Sequence, residues 1–433
     1  SSVENYPAVH IAPEQGETII VGDGPGAKLT VTSGVSEGIR VDWSNLAVQD
    51  CTVLIRTDIW GGLIVSGGVL AIRDAQVDVA SSPDPDVAQA AYVLRGNNGI
   101  SITNSTVTAS NGAPQANVIY SGDGGISIDG STVTATGVAD DAYPAVYAVQ
   151  SIEVKNDSKV TAKSAGMRGI FTEADMTVTD STVAATGTTD EGMIVVGALT
   201  LSEGANVTAW TESGNGATLA LVTKNLSIDD SELTARGGLD LFNWYDPDDT
   251  SRSLSIVPAN GGLMEVKVDG QNRDGSTAVH FREEGAGPSS PYYARVELTG
   301  AQMNWLGAYR YVHIGEHVHE GGAATCARPA VCDDCGREYG AVDSDAHSFT
   351  HYVSNNDATC TEDGTETAAC DNGCGATDTR VAKGSATGHS FVDGVCTVCG
   401  IEDPDYVAPE KSESVVEKND GAIPATGDAA AFF

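Results

Sequence analysis

The chain has 433 residues and carries 60 Asp and Glu against 23 Lys and Arg, a formal charge of −37 that repels polyphosphate and excludes nucleic acid as a partner. Aromatic residues make up only 6%, and no window repeats apolar residues at amphipathic-helix spacing, which excludes a helical fold and predicts a β-rich one. No signal peptide and no apolar run of membrane-spanning length is visible, and the start at Ser1-Ser2-Val3 reads as that of a processed chain.

Residues 1–45, including V9HIAPEQGETIIVGDGPGAKLTVTS, are expected to form an N-terminal capping region. From residue 46 a repeat takes over: L46AVQDCTV, L70AIRDAQV, I100SITNSTV, I126SIDGSTV, I152EVKNDSKV, M176TVTDSTV, L199TLSEGANV and L226SIDDSEL, whose first residues lie 23 to 30 positions apart. One apolar column runs through Leu46, Leu70, Ile100, Ile126, Ile152, Met176, Leu199 and Leu226, and a second lies two residues on, beginning Val48 and Ile72. Period two means a strand with one face inward. The next column, Asp50, Asp74, Asn104, Gly130, Asn156, Asp180, Glu203 and Asp230, holds residues that tolerate left-handed backbone, so the strand turns a corner there. A third apolar column, from Val53 and Val77 to Leu233, follows, with one extra residue in the rungs NDSKV and SEGANV.

Strand, corner and strand, repeated about every 25 residues, is the pattern of a solenoid whose coils bury their apolar faces only by stacking. Cys51 is read as a buried thiol acting as a small hydrophobe. Segments L254SIVPANGGLMEVKVDG and Y292YARVEL are expected to supply further coils or a C-terminal cap. The pattern resembles the right-handed parallel β-helix family of pectin-degrading enzymes and bacterial adhesins over residues 10 to 310. That resemblance implies the fold far more strongly than an activity.

Lyases and hydrolases of that family use clustered acids, which makes Asp180, Asp229 and Asp230 the catalytic candidates here. Asp180 and Asp230, however, occupy the corner column, where backbone conformation is the favoured explanation for an acid. Lys155, Lys159, Lys163 and Arg168 are basic candidates around one coil, with a solvated strand face as the alternative. The acidic loops W244YDPDD and S82PDPD offer oxygen ligands for calcium without the spacing of a known calcium loop. Trp43, Trp60, Trp210, Trp244 and Trp305 are available to stack on sugar rings or to pack inside.

From His313 the chain changes to Cys/His units, A324TCARPAVCDDCG, A358TCTEDGTETAACDNGCG and D393GVCTVCG, with His in A346HSF and G388HSF. Thiolate and imidazole at this spacing suit structural tetrahedral zinc. By sequence proximity, Cys326, Cys332, Cys335 and His347 form one set and Cys360, Cys370, Cys374 and His389 a second, leaving Cys396 and Cys399 to take ligands from His351 or from H313IGEHVHE. Disulfides are the alternative, but three cysteines per full unit do not pair internally and would leave the histidines without a role. These units resemble the Cys/His repeats near the wall-proximal end of Gram-positive surface proteins.

Residues D403PDYVAPEKSESVVEKNDGA read as an extended spacer. It ends in I423PATGD, which resembles the LPXTG sorting signal cut by sortase, with Ile423 in place of Leu and A429AAFF where an apolar helix and basic tail would follow. The resemblance makes Thr426 the residue joined to peptidoglycan and Pro424 and Gly427 the recognition residues.

The resulting expectation is an all-β chain: cap 1–45, right-handed parallel β-helix with its C-terminal cap 46–312, Cys/His modules 313–402, linker and signal 403–433. Its expected role is a wall-anchored extracellular adhesin or display protein binding a glycan or host protein. A wall-anchored polysaccharide lyase or hydrolase, and a purely structural stalk, are the alternatives.

Overall fold

Apolar residues at period two form strands here because alternate side chains point to one side, and parallel stacking lets each coil's backbone bond the next. In the computed structural model one coil runs through Ile100–Thr103, a corner, Thr106–Asn111, a turn, and Ile119–Ser121 before the next coil opens at Ile126–Asp129. Each strand pairs in parallel with its counterpart: Ile100 with Ile126, Thr106 with Thr132, Ile119 with Val146. Repetition builds a β-solenoid of about 8 turns. The structure describes residues 7–12, 16–24, 26–34, 36–58, 61–82, 92–214, 218–241, 251–259, 262–281, 292–293, 296–299 and 306–411.

All three apolar columns line the interior, and none of their members is more than 2% exposed. Each fully buried Val, Leu or Ile contributes roughly 1.5–3 kcal/mol, so the core is a sum of small equal increments along the stack. The corner column adopts left-handed backbone at all eight positions, φ 45° to 58°, from Asp50 to Asp230. In the two longer rungs the extra residue takes the same conformation, Asp157 at φ 56° and Gly204 at φ 80°.

Just after the corner lies a buried serine ladder. The hydroxyl of Ser131 accepts the Ser105 N–H at 3.0 Å and donates to the Asp129 carbonyl at 2.7 Å. Ser105, Ser158, Ser181 and Ser231 accept the N–H of Ala75, Ser131, Ser158 and Ala205 in the same way. A corner takes the backbone out of strand geometry, and these hydroxyls supply acceptors that a buried N–H requires. Cys51 stands at the equivalent position in its coil, partly buried, its thiol pushed up chiefly by burial.

The N-terminal region, expected to cap the solenoid with strands of its own, has strands that pair in parallel with the coils that follow. Val9–Ile11 pairs in parallel with Ile39–Asp42, Glu17–Val21 with Asn45–Gln49, and Lys28–Ser33 with Thr52–Thr57. At the other end the direction changes: Tyr311–Glu316 runs antiparallel to both Glu232–Arg236 and Met264–Asp269, and Val296–Thr299 runs antiparallel to Ser253–Val257. Antiparallel strands laid on the last coil cover edges that would otherwise recruit other chains.

The chain divides into two compact units at Val318/His319. Among the described residues the second unit is built of short antiparallel pieces, of which the largest is the sheet Tyr352–Ser354, Thr365–Ala369 and Thr377–Val381. Among the described residues no helix is long and apolar enough to cross a membrane.

Candidate metal centres and the lateral face of the solenoid

The Cys/His unit contains three turns of one design. In each, the first cysteine's N–H bonds a carbonyl just beyond the second cysteine: Cys332 to Arg337 at 2.9 Å, Cys370 to Ala376 at 2.8 Å, Cys396 to Ile401 at 2.8 Å. The residue after the second cysteine is Gly336, Gly375 or Gly400, at φ 71°, 85° and 72°, the left-handed step that turns both sulfurs to one side. A histidine then reaches the second sulfur through Nδ1: His319 to Cys335 at 3.2 Å, His347 to Cys374 at 3.3 Å, His389 to Cys399 at 3.3 Å.

Two of these turns gain a further cysteine and become complete four-donor sets: Cys326, His347, Cys370 and Cys374, and Cys360, His389, Cys396 and Cys399, with all donor atoms of a set within 4.8 Å of one another. Cys326 and Cys370 are 3.4 Å apart at sulfur, Cys360 and Cys396 3.7 Å. A disulfide requires about 2.05 Å. Thiolates about 2.3 Å from a tetrahedral metal ion are separated by about 3.8 Å, which these pairs approach. Among the described residues no cysteine is joined in a disulfide. The donor sets therefore fit a bound metal ion.

The turns also favour thiolate. The N–H groups of Cys399 and Val398 draw Cys396 down to about 5 against its burial. Burial acts to raise Cys370, but the N–H groups of Ser348 and Asn372 and the His347 ring bring it down to about 6. Their partners hold the proton: burial and neighbouring sulfurs push Cys326 up to about 12 and Cys360 up to about 11.

The grouping by sequence proximity is replaced. Cys326 and His347 leave Cys332 and Cys335 and join Cys370 and Cys374, while Cys332 and Cys335 take His319. Cys360 and His389 join Cys396 and Cys399, which therefore need no ligand from the H313IGEHVHE segment or from His351. His351 instead contacts Asp371 at 3.3 Å. His313 bonds Thr234 at 3.0 Å, and burial lowers its basicity.

On the solenoid, Asp180 and Asp230 occupy the left-handed corner and Asp229 precedes it, all three exposed. Most of the basic candidates are paired: Lys155 with Glu153 at 2.7 Å, Lys163 with Glu212 at 2.9 Å, and Arg168 with Asp190 at 3.1 Å and Glu191 at 3.0 Å. Burial and the adjoining Asp190 raise Glu191 to about 7, against the pull of Arg168. Trp43 is 83% exposed and Trp210 40%. Trp60, Trp244, Trp305, the W244YDPDD loop, the PDPD of the S82PDPD loop and the Thr426 signal lie outside the described residues.

One feature of the lateral face has no signal in the repeat columns. Arg95, Tyr120, Tyr147, Phe171 and Ile194 stand in register on successive coils. Tyr92, Tyr120, Tyr147 and Phe171 form a half-buried aromatic run, with ring centroids 4.5, 5.3 and 5.1 Å apart from Tyr92 to Phe171. Arg95 lies over Tyr92 at 4.8 Å, Arg168 lies over Phe171 at 5.3 Å, and the Tyr147 hydroxyl bonds Glu173.

Comparison with protein-family models, curated proteins and solved structures gives no match.

Proposed function

We propose that the chain is a wall-anchored surface protein whose solenoid binds a glycan along its lateral face and whose Cys/His unit is held together by structural zinc. The observation that carries the glycan reading is the aromatic run Tyr92, Tyr120, Tyr147 and Phe171, one ring per coil with guanidinium groups at both ends. Sugar rings stack their C–H faces on such surfaces, and the regular coil spacing suits a repeating polymer. Zinc is favoured because thiolate and imidazole are soft donors in tetrahedral array, with no position left for a substrate in the four-donor sets. The anchoring reading rests on the I423PATGD motif, with Thr426 as the residue joined to peptidoglycan.

A second reading, a polysaccharide lyase or hydrolase, is supported by Glu191, an acid raised to about 7 and bonded to the Arg168 that lies over Phe171. One experiment separates the two. The full chain is screened against a glycan array and soluble polysaccharides for both retention and release of reducing or unsaturated ends, alongside Tyr120→Ala, Tyr147→Ala and Glu191→Gln. Retention lost in the tyrosine variants, with no product from the parent, supports display and adhesion. Product that vanishes in Glu191→Gln would move the assignment to the enzyme, and neither retention nor product would defeat the glycan reading.

A further inference from the structure

The donors of the two sets made of three cysteines and one histidine alternate along the chain: Cys326 and His347 of the first, Cys360 of the second, Cys370 and Cys374 of the first, then His389, Cys396 and Cys399 of the second. Two tandem modules would instead have finished one set before starting the next. The Cys332 and Cys335 turn lies inside the first loop as well. Such threading means that neither set closes without organising chain that the other needs.

The physical link is a β-hairpin. Thr365–Ala369 and Thr377–Val381 pair antiparallel, Thr365 opposite Val381 and Ala369 opposite Thr377. The turn of this hairpin is the Cys370 to Gly375 segment, which belongs to the first set. Its open end leads to Cys360 on one side and His389 on the other, both of the second set. Around that open end Asp357 accepts the Thr365 N–H and hydroxyl, and Asp363 accepts the Gly384 and Ala386 N–H groups. The third strand, Tyr352–Ser354, follows His347 of the first set and joins the same sheet.

From this arrangement we infer that the Cys/His unit loads metal as an interlocked whole, the hairpin passing the effect of filling one set to the other. The inference rests on the zinc reading given above. With the hairpin unformed, closing the second set means closing the loop from Cys360 to His389. With the first set filled and the hairpin zipped, only residues 361–364 and 382–388 are left to order. Loop-closure cost rises with the logarithm of loop length, and fixing the strands removes further freedom, so coupling on the order of tenfold is expected. Linkage makes the effect reciprocal: each set strengthens the other by one and the same factor.

Cobalt(II) is the probe, because sulfur-to-cobalt charge-transfer absorption reports thiolate ligation directly. The full chain, reduced and metal-free, is titrated with Co²⁺ beside Cys396→Ser, which disables the second set, and Cys374→Ser, which disables the first. Cys396→His restores a donor and separates loss of a ligand from loss of fold. In Cys396→Ser the intact first set is expected to bind about tenfold more weakly than in the parent. Cys374→Ser is expected to weaken the second set by a matching factor, and Cys396→His to recover most of the loss. Undiminished affinity of the remaining set in both serine variants, or weakening in one direction only, would overturn the interlock. A parent that takes up neither Co²⁺ nor Zn²⁺ and has no titratable thiols would overturn the zinc reading itself, an outcome visible before any variant is compared.

Discussion

Replacing Ser131 by Ala removes one rung of the serine ladder. Ser131 is 3% exposed, and its hydroxyl is the acceptor for the Ser105 N–H at 3.0 Å. The Asp129 carbonyl to which it donates also receives the Asn104 N–H at 3.0 Å, so that oxygen stays bonded in the variant. What the substitution leaves behind is a single N–H at a buried corner without its acceptor. A buried donor in that state costs about 1–3 kcal/mol, while the loss of packing from one oxygen is minor, so a destabilisation of about 2 kcal/mol is expected. The assay is urea unfolding of the full chain followed by far-ultraviolet circular dichroism, paired with amide hydrogen exchange resolved to residue 105. Exchange at Ser105 should quicken while amides several coils away, such as Val207, keep their protection, because stability in a solenoid is carried by neighbouring coils. Ser131→Thr, which retains the hydroxyl, should recover the protection at Ser105. A variant within about 0.5 kcal/mol of the parent, with unchanged exchange at Ser105, would refute the account of the ladder.

Asp180→Asn should leave stability unchanged, because Asn also tolerates the φ of 45° found there, whereas Asp180→Val should lose about 1–2 kcal/mol; loss of stability in the Asn variant would show that the charge, not the backbone, matters. Glu191 is raised from 4.5 to about 7 in the folded chain, so the folded state holds the proton more tightly than the unfolded one, and stability is lost as pH rises through that interval. The difference in melting temperature between Glu191→Gln and the parent should therefore be more favourable to the variant at pH 8 than at pH 4.5, and a difference independent of pH would contradict the assignment. Chelation of the reduced chain should expose the Cys/His thiols to a thiol reagent while the circular dichroism of the solenoid coils persists, and thiols that stay protected in excess chelator would count against metal as their restraint. Ile128→Ala, at a core position 1% exposed, should cost about 2–5 kcal/mol by urea unfolding, and a smaller loss would mean that the coils close around the cavity.

Much of the solenoid is legible in the sequence. Two apolar residues separated by one polar residue, a turn-former, and a third apolar residue describe the surroundings of each side chain within its own coil, and local environment is what periodicity reports. The left-handed corner followed equally from residue type, since Asp, Asn and Gly tolerate positive φ at little cost. The N-terminal strands are harder to read because Glu17–Val21 carries apolar residues on both faces: Thr18 and Ile20 stand in register with the inward Leu46 and Val48, while Ile19 and Val21 point outward, exposed at 53% and 57%, and blur the period-two pattern.

Features that depend on which coil or loop lies beside which were beyond the sequence. Serine after the corner reads as a small polar residue, and only stacking reveals that its hydroxyl serves the coil before it. The aromatic run is assembled from Tyr92, Tyr120, Tyr147 and Phe171, whose spacing varies with the intervening loops, so only the strand register aligns the rings. In the Cys/His unit the residue types alone pointed to metal, since soft donors repeated at short spacing have few other uses. The partition of donors could not follow from proximity, because Cys326 is six residues from Cys332 yet meets Cys370 across the fold. Composition and period determined what each residue is suited to; long-range pairing, which brings distant loops together only once the strands are ordered, decided its partners.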